Sequence, residues 1–287
     1  MPTVHVFGNL LIIFMAGAVG WFLSRRKGTA LLGIGLSAVL CTLAVLLVVR
    51  PGFVVKPIPY GFSDLAFYAN CYPVTIALFV PCTFAFVKTR RQQVRMAVWC
   101  TLLFILSFKP YDYQFYPLAT SSMTMIDGDG VCRQSRDYTC SAASLVTYLR
   151  LHDVSVTEAE AIEMARTKAG HGTTSLGLYR ALRIQQEHVG NYRATIDYMT
   201  TAELLDSNEA AIILVGLPTR GRSRVAVAFG RDNDWPTGIY HDVVFMGTDP
   251  QRDGRVLIAD PDMGLESWPI DHLEYLFRGV AVMYEAD

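Results

Sequence analysis

The chain has 287 residues, of which 52% are hydrophobic and 18% charged, and its formal net charge is −1. So even a balance leaves no basic footprint for nucleic acid, and no nucleic-acid partner is expected. The length allows one or two domains, and the charge, which concentrates after Ile126, points to two regions of different character.

The first region is dominated by Leu, Val, Phe and Ile. Apolar runs at about 4–23, 29–49 and 65–87 each reach the roughly twenty residues needed to cross a bilayer. A fourth, at about 95–108, is shorter, but the aromatic belt of Tyr111, Tyr113, Phe115 and Tyr116 after it favours a fourth span. The clusters Arg25 to Lys27 and Lys88 to Arg95 would lie in the cytoplasm by the positive-inside rule, which puts everything after Tyr111 outside. No small-residue cleavage site precedes the first arginines, so a signal peptide is disfavoured. Cys41, Cys71, Cys82 and Cys100 read as small packing residues, and the lack of charge inside the first two runs disfavours transport.

The expected organisation is an α-helical transmembrane anchor of about four spans over 1–112, a linker over 113–126 and a domain over 127–287. The protein would be integral to the cytoplasmic membrane, with the bilayer as a partner and the second domain extracytoplasmic.

In the second region, Asp127-Gly128-Asp129-Gly130 reads as a turn, since a calcium loop's remaining ligands are missing. From Cys140, apolar residues at three- and four-residue spacings predict an amphipathic helix with Thr139 at its cap. Thr157 and Glu160 form a capping box for a second helix, Ser175 to Glu187 predicts a third, and 203–206 predicts a short one. Strands follow at about 211–217, 224–229, 243–246, 255–259 and 279–284. Helices first and strands afterwards imply an α+β domain with an antiparallel sheet. Arg220, Arg222 and Arg224 read as a solvated hairpin turn.

The chemistry gathers around Val131 to Arg150, VCRQSRDYTCSAASLVTYLR. Cys140 opens its helix, where the backbone dipole favours thiolate, the nucleophilic form. Gln134, on the preceding loop, offers an amide donor to an oxyanion forming beside that sulfur. A hairpin about Asp249 to Gly254 would bring His241 at the start of one strand near Asp260 at the end of the next. An imidazole held by a carboxylate is what a thiol nucleophile needs. For Cys140 the alternatives are a buried structural cysteine or half of a disulfide with Cys132, which would act as a redox latch. Asp242 and Asp262 are expected to be solvated, and His152, His188 and His272 to be surface residues. No HExxH or CxxC spacing is present, so neither metal nor cofactor is expected.

These residues resemble the C39 family of cysteine peptidases, the double-glycine leader peptidases of papain-like fold. The motifs are QSRDYTC at Gln134 to Cys140, SAASLVTYL, the loop Gly172-Thr173-Thr174-Ser175-Leu176, His241-Asp242-Val243-Val244, Asp260-Pro261-Asp262-Met263-Gly264, and WPIDHLEYLFRGVAVMY. The resemblance covers about Val131 to Glu285. It implies Cys140 as nucleophile, His241 as general acid and base, Asp260 as orienting carboxylate and Gln134 in the oxyanion hole. Ser141, Gly172 and Thr173 would line the substrate cleft. The family usually has Asp before the cysteine and Gly after it, where this chain has Thr139 and Ser141. Many relatives are fused to exporter ATPases, yet no GxxxxGK[ST] loop exists here. The expected function is a membrane-anchored hydrolase of protein or peptide substrates, cleaving after small residues such as Gly-Gly through a thioester. Alternatives are acyl transfer at the same site and a non-catalytic peptide-binding domain.

Overall fold

The computed structural model describes residues 15–26, 29–39, 77, 79–83, 86, 89–95, 98, 116–121, 123–219, 224–232 and 235–286. The chain falls into two compact units that divide between Pro117 and Leu118.

The first unit corrects the expectation of a four-span region. Among the described residues, no helix is long and apolar enough to cross a membrane. The two longest described helical stretches here, 15–24 and 29–39, are ten and eleven residues. Run length measures apolar composition, whereas spanning needs one long unbroken helix, and none is found among the described residues. With no span among the described residues, the transmembrane fold class, the bilayer partner and the extracytoplasmic placement have no structural footing. The rest of the expected spans lies outside the described residues, as do Cys41, Cys71 and Cys100. Cys82 is buried, its thiol donating to the Gly20 carbonyl at 3.5 Å.

The second unit is α+β. A small hairpin, β1 (Met125–Ile126) and β2 (Cys132–Arg133), encloses the Asp127 turn, whose carboxylate accepts from the N–H groups of Asp129 and Val131. Three helices follow: α1 (Cys140–Arg150), α2 (Glu158–Ala165) and α3 (Ser175–Gln185). Next come β3 (Tyr192–Tyr198), α4 (Thr201–Ser207), β4 (Ala211–Gly216) and α5 (Arg224–Asp232). The chain continues through β5 (Tyr240–Thr248), β6 (Arg255–Asp260), β7 (Gly264–Pro269), α6 (Ile270–Leu276) and β8 (Phe277–Ala286). Six strands form one antiparallel sheet in the order β3-β8-β4-β5-β6-β7.

Helix α1 is the centre of this unit. Its apolar spacing predicts one buried face, yet every residue from Cys140 to Leu149 is buried. A helix surrounded on all sides must satisfy its polar side chains internally. The Ser144 hydroxyl donates to the Asp242 carbonyl at 2.8 Å, and Thr147 donates to the Ala143 carbonyl while accepting from the Cys132 N–H. Tyr148 closes the far end, its hydroxyl accepting from the Tyr284 N–H of β8 at 2.6 Å. Fully burying each large side chain such as Leu145 or Leu149 is worth about 1.5–3 kcal/mol. This anchors the helix on the sheet, where it packs against β4, β5 and β6.

The capping box of α2 forms as expected: the Thr157 hydroxyl accepts from the Glu160 N–H, and the Glu160 carboxylate accepts from the Thr157 N–H at 2.7 Å. The strand expected at 224–229 is instead α5. A short apolar run such as Val225 to Phe229 carries no decisive period, and here it winds until the Trp235 N–H meets the Gly230 carbonyl. Arg220 and Arg222 of the expected basic turn lie outside the described residues, and Arg224 opens the helix.

Candidate active site

Three elements supply the site. The start of α1 carries Cys140, and the adjacent strands β5 and β6 carry His241 and Asp260. Thr139 occupies the cap position but makes no side-chain cap; its hydroxyl closes the preceding loop on the N–H and carbonyl of Arg136. No acidic residue lies in the first turn of α1, so its positive end reaches Cys140 unneutralised from within the helix.

β5 and β6 pair antiparallel about the Asp249–Gly254 turn. They bring His241 Nε2 to 2.9 Å from Asp260 Oδ1, which fixes the ring. Cys140, at the start of α1, lies near enough to the same imidazole to favour its charged form. Burial works against a charge on His241, but the hydrogen bonds from Asp260 and Cys140 outweigh it and raise its pKa to about 10. Burial likewise opposes the charge on Asp260. Its bond to His241 and the N–H groups of Asp262 and Met263 prevail, holding its carboxyl below the usual range. The arrangement thus favours imidazolium beside carboxylate, with the Cys140 sulfur nearby.

Gln134 is tied to the same corner, since its backbone N–H donates to the Pro261 carbonyl at 2.9 Å. Its side-chain amide oxygen is buried and accepts no hydrogen bond among the described residues. The loop is held from below by Glu158, a fully buried carboxylate that accepts from the Ser135 N–H at 3.0 Å and from the Ser121 hydroxyl. Sequence reasoning missed Glu158, because it reads simply as an acidic first-turn residue.

Of the residues expected to line the cleft, Gly172 adopts φ +72° beside the Tyr138 carbonyl, one residue before Thr139. Thr173 shares a 2.7 Å hydroxyl bond with Thr167. Ser141 faces inward: it is 1% exposed and its hydroxyl donates to Asp242 at 2.5 Å. Asp242 is therefore buried rather than solvated, while Asp262 is exposed as expected. Part of the signal was available, since a carboxylate opening an apolar strand run needs a partner, but the burial of Ser141 on all sides was not. His152 is also not a free surface residue; it packs against the rings of Tyr148, Tyr192 and Tyr284. Cys132 is a free buried thiol, pushed up to about 12 chiefly by burial, so no disulfide joins it to Cys140. An open groove of about 760 Å³ bordered by Val154, Glu163 and His188 contains none of these residues.

No protein-family model matches the chain, and no curated protein matches it. Among solved structures, similarity is found to the peptidase domain of Streptococcus ComA, a bifunctional ABC transporter involved in quorum sensing. The TM-score is 0.39 at 15% identity, over 54% of this chain and 96% of that one. Similarity is also found to a double-glycine-motif protease from an AMS/PCAT transporter in complex with the leader peptide. That match has a TM-score of 0.39 at 17% identity, over 60% of this chain and 98% of that one. The peptidase domain of Streptococcus mutans ComA gives 0.34 at 16% identity, over 53% of this chain and 96% of that one.

Proposed function

We propose that the second unit is a papain-like cysteine peptidase acting on protein or peptide substrates. The observation that supports this most is the 2.9 Å His241–Asp260 bond set beside Cys140 at the positive end of a buried helix, the three residues coming from three elements. Cys140 acts as the nucleophile. Its thiolate sulfur bonds to the scissile carbonyl carbon, and the oxygen takes the negative charge. The Gln134 side-chain amide and the Cys140 backbone N–H donate to that oxyanion. The His241 imidazolium then gives its proton to the leaving amine as the C–N bond breaks. The resulting thioester is hydrolysed by a water whose proton returns to His241, and the thiolate is restored. Asp260 stays ionised throughout and keeps the ring oriented. Cleavage after small residues, Gly-Gly among them, follows from the family resemblance of the motifs.

A pool of peptides with internal small-residue pairs, incubated with the wild-type chain and with Cys140→Ala, tests the proposal by mass spectrometry. Wild type is expected to cleave after small residues, and the variant to lose at least about 10³-fold in rate. Cleavage that survives in Cys140→Ala overturns it. So does a Cys140 no more reactive to iodoacetamide than Cys132, which would leave a peptide-binding domain.

A further inference from the structure

A second buried hydrogen-bond set stands directly beside the proposed machinery, and the steps above do not use it. The chain neighbour of the nucleophile, Ser141, donates to the carboxylate of the chain neighbour of the base, Asp242, at 2.5 Å. One turn along the same helix, the Ser144 hydroxyl donates to the Asp242 backbone carbonyl at 2.8 Å. Two bonds nearly a turn apart fix both the rotation of α1 and its position along β5. The start of the helix and the start of the strand cannot separate while both hold.

We infer that Ser141 and Asp242 form a positioning clamp that keeps the Cys140 thiol within reach of the His241 imidazole. The inference rests on the peptidase proposal, since without that chemistry there is nothing to position. Burying a carboxyl is expensive, and an apolar pair of similar size would fill the same space at less cost if packing were its only purpose. Asp242 is 7% exposed, and across β4 its register partner is Leu214. The charged group bearing on it is His241, and the helix presents it only Ser141 and Ser144. Burial pushes its carboxyl up to about 6 against the pull of Ser141 and His241. A proton taken up there turns the acceptor of the Ser141 bond into a donor, so the clamp must rearrange as the solution turns acidic.

The test measures alkylation of Cys140 by iodoacetamide in the full chain, by peptide mass spectrometry, from about pH 5 to about pH 9. Ser141→Ala and Asp242→Ala are each expected to slow the reaction about tenfold or more, as a displacement of about 1 Å between reacting groups does. The double variant should be no slower than the slower single, because both break one bond. Asp242→Asn keeps an acceptor, so it should stay within about threefold of wild type and lose any inflection near 6. Thermal melts of each variant separate loss of fold from loss of position. A Ser141→Ala rate equal to wild type, losses that multiply in the double variant, or an inflection that persists in Asp242→Asn would overturn the clamp. His241→Ala tells the two failures apart. If it slows alkylation and the clamp variants do not, only the clamp fails. If it has no effect, the peptidase proposal falls and takes the clamp with it.

Discussion

Two carboxylates lie within one corner of the second unit, and the fold drives them in opposite directions. Asp260 collects three donors, from the His241 ring and two backbone N–H groups, and its carboxyl is held low. Asp242 has one hydroxyl on its carboxyl in apolar surroundings, and burial pushes it up to about 6. Under the proposals above, separating two acids in this way suits them to different work, Asp260 charged beside the imidazole and Asp242 a hydrogen-bonding tether. The consequence for His241 is measurable. Its raised pKa means that the stability it contributes is complete below about 6.5, the ordinary value, and is lost as pH rises through about 10. In Asp260→Asn the main opposition to burial is gone. The His241 ring resonances, followed by NMR, should then titrate at or below about 6.5, and the fall in unfolding midpoint above that pH should flatten. A His241 that still titrates near its wild-type value would show that Asp260 does not set its charge.

At the scale of elements, the sequence made α1 to α3 legible but read α5 as a strand and blurred the sheet. Thr157 and Glu160 announced the start of α2, because a capping box is a local signal with fixed spacing. β3 and β7 went unseen, since Tyr192–Tyr198 mixes charged and apolar residues and Gly264–Pro269 ends in proline; neighbours rather than local preference make both into strands. The proximity of His241 and Asp260 was legible from the hairpin alone, whereas the meeting of α1 with β5 was not, because sequence spacing holds no information about which strand a helix covers. Gly216 shows how closely β4 meets the entry to β5. It adopts φ +148°, and a Cβ there would lie 2.5 Å from the Ile239 carbonyl, just before His241. Gly216→Ala should therefore cost about 1–3 kcal/mol by overpacking and strain. It should also shift the start of β5 and slow Cys140 alkylation. Denaturant melts read the first effect and adduct rates the second, and a variant normal in both would mean the strand entry has slack.

At the scale of the whole molecule, composition and hydropathy distinguished two regions but misjudged the first. Apolar content there does not come with a described helix long enough to cross a membrane. The second unit joins its own ends: Leu118 bridges Lys168, and β8 is paired on both edges. Residues 118–287 expressed alone are expected to unfold in one cooperative transition and to keep His241-dependent alkylation of Cys140. A fragment that is unfolded by circular dichroism would show that the unit depends on what precedes it. The place of β8 also sets an order in time. It lies between β3 and β4, two strands made well before it, and Ala281 and Val282 pair with both of them. A ribosome must therefore deliver Phe277–Ala286 before β3 can join the strands that carry His241 and Asp260. Until then Tyr148 lacks its backbone partner on Tyr284, and the nascent thiol at Cys140 waits on an unlocked helix, with its chemistry deferred until synthesis has passed the last strand.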